Sequence, residues 1–166
     1  MGWSSAQFCL ILNQGFSTVS ETHLTPATQV NAHRAIVQNL IDAWNAHDPE
    51  RIAAFYAPDY VGVDIGQPQP QNGPREIRAL TAYYFRAFPD LQIKLDDLVM
   101  EGDKAVLIWT WTGTQNGTFM NIPASGRAVV VRGSTALTFQ DGLIHRSTRI
   151  WDLAGLLRAI GLLPEL

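Results

Sequence analysis

Apolar residues in the first part of the chain recur with the period of an amphipathic helix. They stand three, four or seven residues apart, or next to each other: Val30, Val37, Leu40, Ile41 and Trp44. Thr25-Pro26 supplies a suitable N-cap and first helical residue, so we expect a long helix that ends near His47. Asp48-Pro49 repeats this start signal and predicts a shorter helix over residues 50–56, ended by Ala57-Pro58.

A strand, a loop and a third helix are predicted next. Residues 60–65 alternate as a strand does, and Tyr60 and Asp64 fall on one face of it. The Pro-, Gln- and Gly-rich run 66–73 predicts a loop, and Pro74 opens the helix. The apolar stripe of that helix comprises Ile77, Leu80, Tyr84 and Phe88.

The second half of the chain has the alternation and the turn residues of an antiparallel meander. Its predicted strands are residues 91–100, 104–114, 127–140 and the segment after Gly142. Asp141-Gly142 fits a two-residue hairpin turn, because glycine accepts a positive φ angle without steric cost. Along the last strand, His145, Ser147 and Arg149 are predicted to share one face. Ile144 falls on the opposite face.

This order of elements predicts an α+β fold, in which helices cluster in the first half and a meander in the second, before a short terminal helix over residues 154–163. A curved antiparallel sheet wrapped by the N-terminal helices leaves a conical cavity between the two layers, and a ligand would bind there. We interpret residues 1–24 as an N-terminal extension and residues 25–166 as a single domain.

Composition and charge narrow the functional classes. A chain of 166 residues suits one domain, and its net charge of −3 without a basic stripe argues against a nucleic-acid partner. No apolar run approaches the roughly 18 residues that span a bilayer, and the N-terminus makes a poor signal peptide. We therefore expect a cytoplasmic protein with no membrane partner. The single cysteine, Cys9, and the histidines at positions 23, 33 and 47 show no metal-ligand spacing.

Short motifs in a fixed order suggest a family. They are Ala46-His47-Asp48 with residues 55–61, then residues 88–91, then residues 117–123 with Gly126-Arg127, and finally residues 151–158. With these motifs the chain resembles the SnoaL-like polyketide cyclases of the nuclear-transport-factor-2-like superfamily, which also contains ketosteroid isomerase and limonene epoxide hydrolase. The resemblance implies a cystatin-like roll around a conical cavity, neither a metal nor an organic cofactor, and a homodimer formed through the sheet.

The resemblance also implies a departure in the catalytic residues. Family members use an aspartate as general acid/base just before a Trp-Asp-Leu-like segment, and Arg149 stands at that position here. In limonene epoxide hydrolase an Asp-Arg-Asp set activates water. Two of its positions correspond to Ile108 and Thr110 and the third to Arg149, so the set is lost. A histidine on the penultimate strand of related cyclases is replaced near Thr135.

Asp64, Arg149 and His145 are the candidate catalytic residues. Desolvation in an apolar pocket raises the pKa of a carboxyl group toward neutrality, as acid/base catalysis requires, so Asp64 is the candidate base. The alternative is that Asp64 is a carboxylate at the rim of the cavity, hydrogen-bonded by water or by a loop amide. Arg149 cannot be a base. It either holds an enolate, phenolate or carboxylate oxygen of the ligand or forms an ion pair with Asp64, which would weaken Asp64 as a base. His145 is either a second acid/base or, as we favour, a solvated histidine.

Aromatic residues supply candidate walls for an apolar or aromatic substrate. Trp109 and Trp111 share one strand face, which either lines the cavity or, as we favour, packs on the other side of the sheet or in a dimer contact. The other candidate substrate-binding residues are Tyr56, Tyr60, Phe119, Met120, Thr135 and Ser147.

Three functions follow as hypotheses. The first is a cofactor-independent cyclase or isomerase that closes a ring in a polyketide-like or other apolar carbonyl compound by acid/base catalysis. The second is a non-catalytic small-molecule-binding domain, and the third is an epoxide hydrolase-like enzyme with a rearranged water site.

Overall fold

The computed structural model describes residues 25–164. The predicted extension over residues 1–24, with Cys9 and His23, lies outside them. The elements in chain order are α1 (Pro26–Asn45), α2 (Pro49–Ala53), β1 (Tyr56–Asp64), β2 (Gln71–Asn72), α3 (Gly73–Ala87), β3 (Gln92–Glu101), β4 (Lys104–Thr114), β5 (Ala128–Gln140), β6 (Leu143–Trp151) and α4 (Leu153–Ala159). None of the helices within this part of the chain is long and apolar enough to cross a membrane.

The helices α1 and α2 begin where their capping residues predict. Thr25 Oγ1 accepts a hydrogen bond from the amide of Thr28, and Asp48 caps α2 through the amide of Arg51. The helix α1 ends at Asn45, two residues before the predicted end. The Asn45 side chain then bonds both backbone groups of Ile93, at 2.9 and 2.6 Å, and so ties the end of α1 to β3.

The strand β1 begins earlier than predicted. Ala57-Pro58 lies within it and does not end a helix, so α2 is only five residues long. The pairing of β1 with β6 is irregular between Tyr56 and Val61, and this irregularity accommodates Pro58, which has no N–H to donate to a ladder.

The α+β fold class is confirmed, with helices against a single six-stranded sheet of order β2-β1-β6-β5-β4-β3. The meander β3 to β6 is antiparallel as predicted. The sheet as a whole is mixed, because β1 pairs with β6 in parallel and sets Asp64 opposite Arg149. Periodicity predicts a strand but not its partner, so this pairing was not predicted.

A bulge in β6 corrects the predicted face of His145. Phe139 pairs with Ile144 and Thr138 with Arg146, which leaves His145 as an extra residue. The alternation therefore restarts, and Ile144 is fully buried although it was predicted opposite Ser147 and Arg149. The turn before it has the predicted geometry, with φ values of 51° at Asp141 and 75° at Gly142.

Candidate functional site

A cavity opens between the helices and the concave face of the sheet. The space between them is about 650 Å³ when solvent at the open mouth is included. The lining residues are Leu40, Ile41, Trp44, Tyr56, Tyr84, Leu91, Ile93, Leu107, Trp109, Trp111, Thr135, Leu137, Arg149 and Trp151. Most of them are aliphatic or aromatic, so the cavity suits an apolar guest with few polar groups.

Arg149 is the one charged residue in this lining among residues 25–164. Its side chain is 16% exposed, and its Nη1 lies 3.3 Å from Oδ2 of Asp64. Burial acts to lower the pKa of the guanidinium, but the negative charges of Tyr84 in its ionised form and of the Asp64 carboxylate raise it by more. Arg149 therefore stays charged.

Asp64 lies behind Arg149 and does not line the cavity. Its side chain is 1% exposed. Its Oδ1 accepts hydrogen bonds from the amide of Gly66 at 2.9 Å and from Nε1 of Trp151 at 2.7 Å, and its Oδ2 accepts the bond from Arg149. Two of the alternatives left open by the sequence, the loop amide and the ion pair with Arg149, are thus both present.

The tryptophans of β4 face the cavity. Trp109 and Trp111 are buried and line it, so the favoured prediction that they pack on the other side of the sheet is wrong. Ile108 is exposed, and Thr110 donates its hydroxyl to Asp96 on the outer surface. The two positions matched to limonene epoxide hydrolase therefore point away from the cavity.

Two buried tyrosines lie near the guanidinium. Burial raises the pKa of Tyr56, and it raises the pKa of Tyr84 to about 12 although the charge of Arg149 acts to lower it. Both phenols are therefore protonated at neutral pH, and both line the cavity. Tyr84 was predicted only as part of a buried helical stripe.

Thr135 is also brought to the cavity, as predicted. Its Oγ1 accepts a hydrogen bond from Nε1 of Trp109 at 2.9 Å. Thr135 pairs with Leu107 on one side and with Arg149 on the other, and Arg149 pairs with Asp64. These four residues form one row across β4, β5, β6 and β1.

Besides Asp64, five sequence-predicted residues lie outside the cavity lining. Tyr60 and Ser147 are buried and bonded to each other, with 2.6 Å between their hydroxyl oxygens. Phe119 is fully buried and stacks on Tyr83, whose hydroxyl accepts a hydrogen bond from the amide of Met120.

His145 is the fifth. Its Nδ1 lies 3.2 Å from Oδ1 of Asp59, whose side chain is exposed, so it belongs to the surface near the bulge.

Comparison with known proteins identifies the family. The model of the SnoaL-like polyketide cyclases matches residues 34–160. The chain belongs to this family. A search among curated proteins found no match.

Solved structures of similar chains share the fold. TsrD from Streptomyces laurentii is 33% identical, with 80% of this chain and 97% of TsrD covered and a TM-score of 0.73. A candidate hydroxylase, AclR from Streptomyces galilaeus, is 26% identical over 82% of this chain and 89% of AclR, with a TM-score of 0.74. A candidate SnoaL-like polyketide cyclase from Jannaschia sp. CCS1 has the same identity, TM-score and share of this chain, with 96% of its own chain covered.

This SnoaL-like cavity contains residues that sequence reasoning did not assign to a site. They are Leu40, Ile41, Trp44, Tyr84, Leu91, Ile93, Leu107, Leu137 and Trp151. Trp44 and Tyr84 belong to the predicted apolar stripes of α1 and α3. Helical periodicity alone does not distinguish a residue packed in the core from one that lines a cavity. Within the described residues, no three His, Cys, Asp or Glu side chains are grouped as metal ligands would be.

Proposed function

We propose that this SnoaL-like protein is a cofactor-independent cyclase or isomerase that acts on a polyketide-like or other apolar carbonyl compound. The observation that carries the proposal is that, among residues 25–164, the Arg149 guanidinium is the one charged group in the lining of an aromatic-walled cavity. An apolar wall holds the carbon skeleton of the substrate, and the guanidinium stabilises the oxygen that gains negative charge during ring closure.

Arg149 is the proposed electrostatic catalyst. A guanidinium has five N–H donors, and in the described residues the bond to Asp64 uses one side of it. The remaining donors are available to an enolate or alkoxide oxygen of the guest. Because the site is largely desolvated, such a bond stabilises developing charge more strongly than it would in water.

The proposed proton donor is the Tyr84 hydroxyl, because Tyr84 lines the same cavity as Arg149 and the charge of Arg149 acts on its pKa. In an aldol-type closure, the enol carbon of the substrate attacks its own carbonyl carbon, and a carbon–carbon bond forms. The carbonyl oxygen becomes an alkoxide and takes the phenolic proton, while the enol oxygen loses its proton, which restores the phenol. An enolised β-dicarbonyl substrate needs no strong base for this step.

Asp64 has a positioning role in this scheme and not the role of base predicted from the sequence. Its hydrogen bonds from Arg149 and Trp151 hold these two side chains at the cavity wall, and a third, from the Gly66 amide, fixes the carboxylate itself. We further propose that Arg149 occupies the position of the family's usual aspartate, three residues before Asp152, so the chemistry relies on stabilising charge more than on abstracting a proton. His145 takes no part in the scheme, because it does not line the cavity.

The test uses a linear poly-β-ketone N-acetylcysteamine thioester as substrate, with the cyclised product followed by absorbance and mass. Arg149→Met should lower the turnover rate by roughly 100-fold or more, the usual cost of removing an oxyanion donor. Arg75→Met is the matched control, because Arg75 is exposed on α3 and should leave the rate unchanged. Equal rates for the wild type and Arg149→Met would overturn the proposal.

A second candidate function is a non-catalytic binding domain. The observation that favours it is the absence of Asp, Glu or His from the lining among the described residues. A wild-type protein that binds aromatic ketones but does not turn over the thioester would establish this candidate.

Epoxide hydrolysis is the least supported hypothesis. Activation of water needs a carboxylate in the cavity. The residues of β4 that face the cavity beside Ile108 and Thr110 are Trp109 and Trp111, and neither has a carboxylate.

We also propose a homodimer formed through the outer face of the sheet. Val106, Ile108, Val130 and Ile150 are 40–60% exposed there. Ile108 and Ile150 flank Ser134 across β4, β5 and β6, because Ile108 pairs with Ser134 and Ser134 with Ile150. Val130 lies farther along β5, beyond the exposed Arg132. The exposed aliphatic side chains on this face support a role for it in protein contact.

A further inference from the structure

The Thr135 hydroxyl proton has no hydrogen-bond acceptor among residues 25–164. Its oxygen accepts the hydrogen bond from Trp109 Nε1, and a threonine hydroxyl still has one proton to donate. Because the indole N–H occupies one side of the oxygen, the hydroxyl proton is directed away from Trp109. Thr135 lines the cavity, so this proton is available to a guest.

Gly133 makes this arrangement possible. It lies between Trp109 and Trp151 in the cross-strand register. A Cβ atom at Gly133 would come within 2.4 and 2.5 Å of two carbons of the Trp109 ring. The absent side chain therefore lets the indole lie over β5, with its Nε1 at Thr135.

Thr135 and Arg149 present their donors side by side. They are directly paired on β5 and β6, and both line the cavity. Side chains on one face of a directly opposed pair start about 5 Å apart at Cβ, so both can reach one oxygen atom of a guest. A carbonyl oxygen has two lone pairs and accepts two such bonds.

The charge of the site decides which kind of oxygen it accepts. Asp64 is fully buried and already compensates the charge of Arg149. A carboxylate guest would place a second buried negative charge beside one guanidinium, and an uncompensated buried charge is costly. A neutral carbonyl avoids this cost and gains negative charge only as the reaction proceeds, when the two donors bind it most strongly.

We infer that the cavity selects a neutral aromatic or polycyclic ketone, whose carbonyl oxygen accepts hydrogen bonds from Arg149 and from the Thr135 hydroxyl, with Trp109 as the residue that orients this hydroxyl. The inference rests on the proposed function for its chemistry, but it concerns recognition and is tested by binding alone.

The test compares three probes of nearly equal shape: 2-acetylnaphthalene, 2-ethylnaphthalene and 2-naphthoate. Binding is measured by quenching of the cavity tryptophans. The wild type should bind the ketone more tightly than both the hydrocarbon and the carboxylate. Thr135→Val should lower affinity for the ketone by about fivefold, the usual effect of one neutral hydrogen bond, and leave affinity for 2-ethylnaphthalene unchanged. Thr135→Ser keeps the hydroxyl and should keep the preference for the ketone.

Trp109→Phe tests the orienting role. It should reduce the ketone's advantage over 2-ethylnaphthalene in the same direction as Thr135→Val, whereas loss of wall contact alone would weaken both probes equally and overturn that role. An unchanged ketone affinity in Thr135→Val would overturn the second donor.

Asp64→Asn tests the charge argument and should raise affinity for 2-naphthoate by roughly tenfold or more, because Arg149 is then uncompensated. If this variant does not fold, the wild-type ranking decides, since tighter binding of 2-naphthoate than of the ketone would overturn the inference. A ketone preference without turnover of the thioester would leave this inference standing and remove only the proposed catalysis.

Discussion

Asp64 and Arg149 are directly paired on two parallel strands, and their charged groups meet at 3.3 Å between Oδ2 and Nη1. The strands β1 and β6 are far apart in the sequence, so a tertiary pairing creates the electrostatic centre of the site. The ion pair holds a largely buried cation at the wall of an apolar cavity, where Asp64 supplies its counter-charge.

The first prediction concerns the stability contributed by this pair. Asp64→Asn should lower the free energy of unfolding by about 3 to 5 kcal/mol, because it leaves the buried guanidinium of Arg149 without a counter-charge. Urea unfolding followed by circular dichroism measures the loss. Glu50→Gln is the control: Glu50 pairs with Arg78 at 2.9 Å, but both side chains are exposed, and the loss should stay below about 1 kcal/mol. Equal small losses in both variants would contradict the ion-pair description.

The second prediction concerns the indole that bonds the same carboxylate. Trp151 Nε1 donates to Asp64 at 2.7 Å, so a double-mutant cycle of Trp151→Phe with Asp64→Asn should give a coupling energy of about 1 to 2 kcal/mol. The cycle of Trp111→Phe with Asp64→Asn is the control, because Trp111 lines the same cavity without a bond to this carboxylate. A coupling energy as large in the control cycle would show a general packing effect and would contradict the specific bond.

Much of the fold follows from local signals in the sequence. The caps at Thr25 and Asp48 start helices, Asp141-Gly142 forms the expected turn, and β4 and β5 alternate as predicted. Each of these features depends on residues close together in the chain. Local propensity and local hydrogen bonding are therefore enough to predict them.

The candidate site depends on relationships that local patterns do not contain. The bulge at His145 shifts the alternation of β6 by one residue, so Ile144 turns inward and His145 leaves the cavity side. Which face of β4 lies under the helices cannot be read from its own alternation, since Trp109 and Ile108 stand on opposite faces and both are apolar. The family resemblance predicted the presence of a cavity but not which face of β4 lines it.

The third prediction concerns alkaline pH. The pKa of Tyr84 is raised by burial from 10.0 in the unfolded chain to about 12 in the folded protein. The stabilising contribution of this group is complete below pH 10 and is lost as pH rises from 10 toward 12, because the unfolded chain then ionises first. A shift of this size corresponds to roughly 3 kcal/mol at most. Thermal unfolding between pH 9 and pH 12 should therefore show a falling midpoint.

Tyr84→Phe is the variant that isolates this effect, because it removes the ionisable group. Its midpoint should fall less steeply than that of the wild type over the same pH interval, whatever its stability at pH 8. The fall should not vanish, because burial also raises the pKa values of Tyr56 and Tyr60. Parallel curves for the wild type and Tyr84→Phe would show that Tyr84 ionises equally in the folded and unfolded states, contrary to its burial.

The fourth prediction concerns the outer face of the sheet. Val130 and Ile150 are 60% and 52% exposed on adjacent strands, and a lysine at either position should place a charge inside the proposed interface. Sedimentation velocity should therefore show a dimer for the wild type and monomers for Val130→Lys and Ile150→Lys. Leu162→Lys is the matched control, because Leu162 is 54% exposed beyond α4, and this variant should remain dimeric. A monomeric wild type would contradict the proposed interface, and dissociation caused by Leu162→Lys alone would place the interface at the end of the chain, away from the sheet.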